Sequence, residues 1–177
     1  MTIAPRVAAF NDWAKAQDWP AFCDPDLAFE SETLTDLLVI WRRQAGSDPI
    51  PPRSKMDVHV LKRHLGHIAI FERAAERYRA RLVGTRLAQM FGEMQGKFLD
   101  EVIPAALLPR WHHALGLTLS ERCALRFVVD AVEFRKLDFL RSELLLVPLL
   151  DDGVEPTLVL AGARLKVNLA RAGAASA

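Results

Sequence analysis

His112 is the residue whose type and setting come nearest to ligand chemistry. It falls between Leu108 and Leu115 on one apolar helical face, where a neutral imidazole could ligate an iron. A lone histidine on such a face reads first as a core side chain hydrogen-bonded to a neighbour. His113 points the other way, toward solvent. His59, His64 and His67 crowd together, and the last two stand three apart, a spacing that suits metal ligands on a continuous helix. Gly66 interrupts that helix and no third ligand follows at fixed spacing. A structural zinc site needs four protein ligands, so no metal is expected. Cys23 and Cys123 lie a hundred positions apart with no partner at metal-finger spacing, and read as reduced thiols. Arg77, Arg79 and Arg81 alternate along one strand face and could meet phosphate, but no aromatic residue interleaves with them. Asp130 and Glu133 are the only acids in the first of the three late strands. Alternation turns Asp130 away from Phe127 and Val129, toward solvent, which counts against acid–base catalysis. There is no glycine-rich phosphate loop, no His-Glu-x-x-His and no serine elbow, so no catalytic residue is assigned.

The elements that must position these groups follow from periodicity. Ile3, Val7, Phe10 and Ala14 step by four, three and four, the pattern of a short amphipathic helix. Such a stripe packs on its own domain or serves a dimer interface. Thr33 and Asp36 resemble a capping box ahead of Leu34, Leu37, Leu38 and Trp41, which share one face. Arg42 and Arg43 suit the helix C-terminus and Gly46 its stop. Pro49, Pro51 and Pro52 force an extended loop. A further helix carries Val58, Leu61 and Leu65. From His67 the period becomes two, and His67–Arg73 and Arg77–Val83 read as a hairpin around residues 74–76. Short helices follow between Gly84 and Gly92 and from Lys97 to Val102, then a longer one from about Pro109. A valine at Gly84 is expected to disrupt the fold through unusual backbone angles at that break. Three strands close the chain, near 125–131, 139–150 and 157–167, with Asp152-Gly153 turning the last two.

Two strands, several short helices and three strands in that order resemble the PAS superfamily. The residues that carry the likeness are Trp41 with Arg42-Arg43, Pro52-Arg53-Ser54, and Tyr78 through Val83 with Gly84-Thr85. Gly92, Gly96 through Asp100, Val147-Pro148-Leu149 and Asp151-Asp152-Gly153 complete it. The likeness spans about Thr33 to Val167 and is nearest to a bacterial group of short, often stand-alone PAS-like proteins. It implies an α+β fold: a five-stranded antiparallel sheet with helices over one face, preceded by N-terminal helices. The expected organisation is an N-terminal extension over residues 1–30 with a helix in it, a PAS-like domain over 31–167 and a flexible tail over 168–177. The resemblance also implies a sensory or signalling module that works through protein–protein contact, its pocket tuned by a small apolar ligand. The pocket candidates are Leu87, Met90, Phe91, Trp111, Leu115, Phe127 and Val129, with His112 beside them. The same residues would equally fill a solid core. In haem-binding members this helix carries the iron-binding histidine, so haem through His112 is the one cofactor option; otherwise none is expected. Cys123 lacks the asparagine-cysteine-arginine setting of flavin-linked light sensors.

Composition narrows the partners. At 177 residues, 51% of them apolar, the chain suits one well-filled domain. A net charge of +1 argues against nucleic acid or an anionic membrane as partner. The apolar runs Leu144–Leu150 and Thr157–Ala163 are far short of the ~20 residues that span a bilayer. Met1–Phe10 shows no export signal, so a cytoplasmic location is expected. No kinase helix pair or recognition-helix module is evident, so a regulatory protein, a second copy in a homodimer and a small apolar ligand are the expected partners. The alternative is a small α+β enzyme with a hydrophobic cavity, which needs an acid or base inside it.

Overall fold

The structure, a computed structural model, describes residues 4–130 and 140–167. Its elements run α1 (Ala4–Ala16), β1 (Ala21–Asp24), α2 (Glu32–Ala45), α3 (Val58–Leu61), β2 (Ile68–Ala74), β3 (Arg77–Val83), α4 (Thr85–Phe91), α5 (Leu99–Val102), α6 (Leu108–Glu121), β4 (Leu125–Val129), β5 (Leu140–Leu150) and β6 (Pro156–Val167). The six strands form one antiparallel sheet in the order β1-β4-β5-β6-β2-β3. The mixed fold is the one expected, with one strand more. The extra strand is β1, four residues that follow Pro20 and pair with β4 from Ala21↔Val129 to Asp24↔Arg126. Four residues are too few for a period of two to stand out.

Alternation gives the sheet two apolar faces. On one, Ala69, Phe71, Phe127, Leu146, Val159 and Ala161 meet α1 and the helices α4–α6. On the other, Ile68, Ile70, Leu145, Val147, Leu158 and Leu160 meet α2 through Leu34, Leu37, Leu38 and Trp41. The middle helices cover one face, as expected, and α2 covers the opposite one. Gly162 lets α2 come close, because a Cβ there would stand 2.8 Å from Leu37 Cδ1. Trp41 Nε1 donates to the carbonyl of Pro148 at 2.9 Å and fixes the angle of approach. Burying each such large side chain contributes roughly 1.5–3 kcal/mol.

The α1 stripe packs within the domain. Val7, Phe10 and Ala14 are buried, and the Phe10 ring meets the Phe127 ring edge to face at 5.2 Å. Ile3 and the tail 168–177 lie outside the described residues. Asn11 on α1 grips the outer edge of β1: its Nδ2 donates to the Cys23 carbonyl at 3.0 Å, and the Cys23 amide donates to its Oδ1 at 2.7 Å.

Two local expectations change. The α2 N-terminus is not capped by Thr33, which lies inside the helix; Ser31 is the N-cap and makes no side-chain cap bond. Glu143 on β5 instead fixes the two residues just ahead of the helix, accepting the amides of Glu30 and Ser31 at 2.9 and 3.0 Å. Gly84 has ordinary extended angles, φ −65° and ψ 148°. Glycine is needed there because a Cβ would sit 2.0 Å from the Leu65 carbonyl oxygen and 2.7 Å from Gly66 C.

Candidate ligand-binding site

A cavity of about 120 Å³ lies between the sheet and the helices α4 and α6. Its floor explains why it exists. Ala69 on β2 and Ala161 on β6 are register partners, and Ala163 follows on the same face of β6. Strand positions facing a core usually hold β-branched or aromatic residues. Three alanines there leave room that the covering helices do not fill. Phe71, Leu144 and Leu146 complete the floor, α4 contributes Leu87 and Phe91, and α6 contributes Trp111, Ala114 and Leu115. Phe71 and Trp111 meet edge to face at 5.7 Å. The stretch linking α1 to β1 supplies Trp19, and the guanidinium of Arg110 lies 5.5 Å from its ring centre.

Five of the eight expected pocket residues line this cavity: Leu87, Phe91, Trp111, Leu115 and Val129. Three do not. Phe127 is buried beneath Phe10, on the side of the core that α1 occupies. Met90 is off the inward face of α4, which is set by Leu87 and Phe91 one turn apart. His112 turns its ring edge-on to Tyr78, 5.1 Å between centres. With His112 off the wall and a space close to that of a single small ring, the residues present do not fit a haem. The reading of the sequence missed Ala69, Ala161, Ala163, Ser142, Trp19 and Arg110. The alanines within otherwise large-residue strands were the available signal.

The cavity wall holds no carboxylate and no imidazole among the described residues. Asp130 is exposed and paired with Arg141 at 3.0 Å, as alternation implied. Glu133 lies outside the described residues. The arginine strip is formed but largely neutralised. Arg77 makes a two-pronged contact with Asp100 at 2.8 and 2.9 Å, and Arg81 pairs with Glu72 at 2.9 Å. An aromatic does interleave, against expectation: Phe98, brought in by the loop before α5, lies under the guanidinia of Arg77 and Arg79 at 3.7 and 4.6 Å.

On the opposite face of the sheet a charged network ties the N-terminal segment down. Arg126 Nε donates to Glu143 at 2.7 Å and its Nη1 to Asp24 at 2.9 Å. Burial would raise the Asp24 carboxyl, but the amides of Asp26 and Ala28 and the Arg126 guanidinium outweigh it and hold the group below its usual value. The three histidines near residue 64 do not converge. His64 is buried, His59 is exposed, and His67 Nε2 takes a hydrogen bond from Arg164 Nη1 at 2.9 Å. His113 is exposed and stacks on Trp13 at 3.9 Å. Both thiols are free. Burial pushes Cys23 up to about 12 and Cys123 to about 11, so neither is a ready nucleophile.

The family model described as "PAS domain" matches residues 29–163. This chain belongs to the PAS domain family. The match takes in α2 through Ala163 of β6, including the sheet floor and the helices that wall the cavity, and leaves α1 and β1 outside. Among solved structures the chain is similar to an RNA-binding Light-Oxygen-Voltage receptor, at 10% identity and a TM-score of 0.49. That alignment covers 98% of this chain and 52% of the receptor chain, so this PAS chain spans about half its length. No curated protein matches the sequence. Among the described residues no helix is long and apolar enough to cross a membrane.

Proposed function

We propose that this PAS chain is a sensory module whose cavity takes a small apolar ligand and whose response passes to a partner protein by contact. The observation that carries the proposal is the cavity of about 120 Å³ floored by Ala69, Ala161 and Ala163. Interiors normally pack without voids of this size, and a lining of apolar and aromatic side chains is what small-molecule sites present. The wall helices also suit the second half of the proposal. Leu87 of α4 and Leu115 of α6 face the cavity, while Arg86, Gln89, Pro109 and His113 of the same helices face solvent. A ligand that shifts either helix alters a surface that a regulatory protein, or a second copy of the chain, can read.

Native mass spectrometry of the full chain, followed by titration with toluene, tests the ligand half. The wild-type chain is expected to retain a small molecule or to bind toluene, and Ala161→Leu, which fills the floor, is expected to abolish binding. Absence of any uptake by the wild type, or uptake that Ala161→Leu leaves intact, would overturn it.

A further inference from the structure

The cavity has one hydroxyl on its wall, and that hydroxyl has nothing to do. Ser142 on β5 lines it opposite Val129 of β4, and its residue is only 5% exposed. Its hydroxyl makes no hydrogen bond to a described residue. Nor is it sealed inside the wall, since the Arg79 Nε is the one fully buried side-chain polar atom without a partner among the described residues. A buried hydroxyl left without a partner costs stability, so the group is disposed to accept or donate a bond from whatever enters.

Resting on the ligand reading above, we infer that the ligand is a small, neutral, single-ring molecule bearing one hydroxyl or carbonyl group, and that Ser142 reads that group. Size sets the first condition: about 120 Å³ compares with the engineered apolar cavity of about 150 Å³ that holds benzene. Shape sets the second. Phe71 and Trp111 already meet edge to face on the wall, the arrangement in which a further aromatic ring packs well. Charge sets the third. A charged group at Ser142 would be buried beside a hydroxyl and the aliphatic side chains of Leu144 and Leu146, and the one charged wall residue, Arg110, is already engaged over the Trp19 ring. One polar contact at Ser142 is then enough to orient the ring, because apart from Arg110 and the indole N–H groups of Trp19 and Trp111 the wall is hydrocarbon.

The test compares phenol with toluene, two probes of nearly the same shape that differ in one hydroxyl, on the full-length wild-type chain and on Ser142→Ala. The ratio of toluene to phenol Kd is expected to fall by about fivefold in Ser142→Ala, the size of one net hydrogen bond. The variant should fold, with a Tm equal to or above that of the wild type, since it loses an unpartnered hydroxyl. An unchanged ratio, with toluene still bound, would overturn the role of Ser142 and leave the cavity reading standing. A wild type that binds neither probe would overturn the cavity reading itself, and this inference with it.

Discussion

Arg126 and Glu143 stand on neighbouring strands and share a 2.7 Å charge-assisted hydrogen bond on the face of the sheet turned away from the cavity. Both side chains are almost wholly buried, at 8 and 10% exposure. Glu143 does two further tasks at once, accepting the amides of Glu30 and Ser31 where α2 begins. Arg126 reaches on to Asp24 at the far edge of the sheet. One buried pair therefore joins β1, β4, β5 and the start of α2.

Glu143→Ala is expected to destabilise the fold by about 3 kcal/mol, because it strands part of a buried guanidinium and leaves the amides of Glu30 and Ser31 without their acceptor. Chemical denaturation of the variant measures this. A loss under 1 kcal/mol would mean that the network is incidental.

Asp24 gives that network a pH dependence. Its carboxyl is held below its usual value, so its contribution to stability is in place above a pH of about 4 and is lost as the pH falls through the lowered value. Asp24→Asn should flatten the acid limb of the stability curve. Equal acid limbs for the two proteins would contradict the assignment.

His67 acts at milder acidity. Burial first, and then the charges of Arg164, Arg86 and His64, lower its pKa below the ordinary 6.5. The folded protein disfavours the imidazolium, so stability is full above about pH 6.5 and declines as the pH falls through the lowered value. The bond from Arg164 to Nε2 needs the neutral ring and is broken by the same proton. His67→Gln should be less sensitive to pH between 7 and 5 in thermal melts.

Gly84→Ala is expected to cost about 3 kcal/mol or to prevent folding, from overlap with the backbone of Leu65 and Gly66 rather than from strained angles. Gly46, at φ 65°, offers the contrast, because a Cβ at that position would meet nothing within 4 Å. An alanine there should cost only the backbone strain of φ 65° with ψ −120°, about 1–3 kcal/mol. Comparing the two melting temperatures separates crowding from backbone strain.

Ala161→Leu should raise stability by about 1 kcal/mol while closing the cavity, since it adds buried apolar volume where space already exists. A marked loss of stability would show that the floor is closely packed.

Much of the sheet was legible because alternation is a local signal. The hairpin from Ile68 to Val83 and the strands β4, β5 and β6 stand within a residue or two of their expected places. What was not legible depends on residues far apart in the chain. The anchor of the chain just before α2 comes from Glu143, more than a hundred positions away. Gly84 owes its identity to a loop that closes on it in space. The cavity is the difference between two packings of the same apolar set, and only the alanines at 69, 161 and 163 hint at which packing holds. His112 looked like a wall residue because a helical face is wider than the cavity it borders, and Tyr78 takes its ring.

The grip of Asn11 on Cys23 has a meaning for life in a crowded solution. An outermost strand offers a row of idle donors and acceptors to any extended chain that drifts past. A side-chain amide has the same donor and acceptor as a peptide group, and here it occupies both positions that a passing strand would need at Cys23. The first helix thus serves as a stopper on the open end of the sheet. A chain clipped between α1 and β1 would lose that stopper and become prone to stacking on its neighbours.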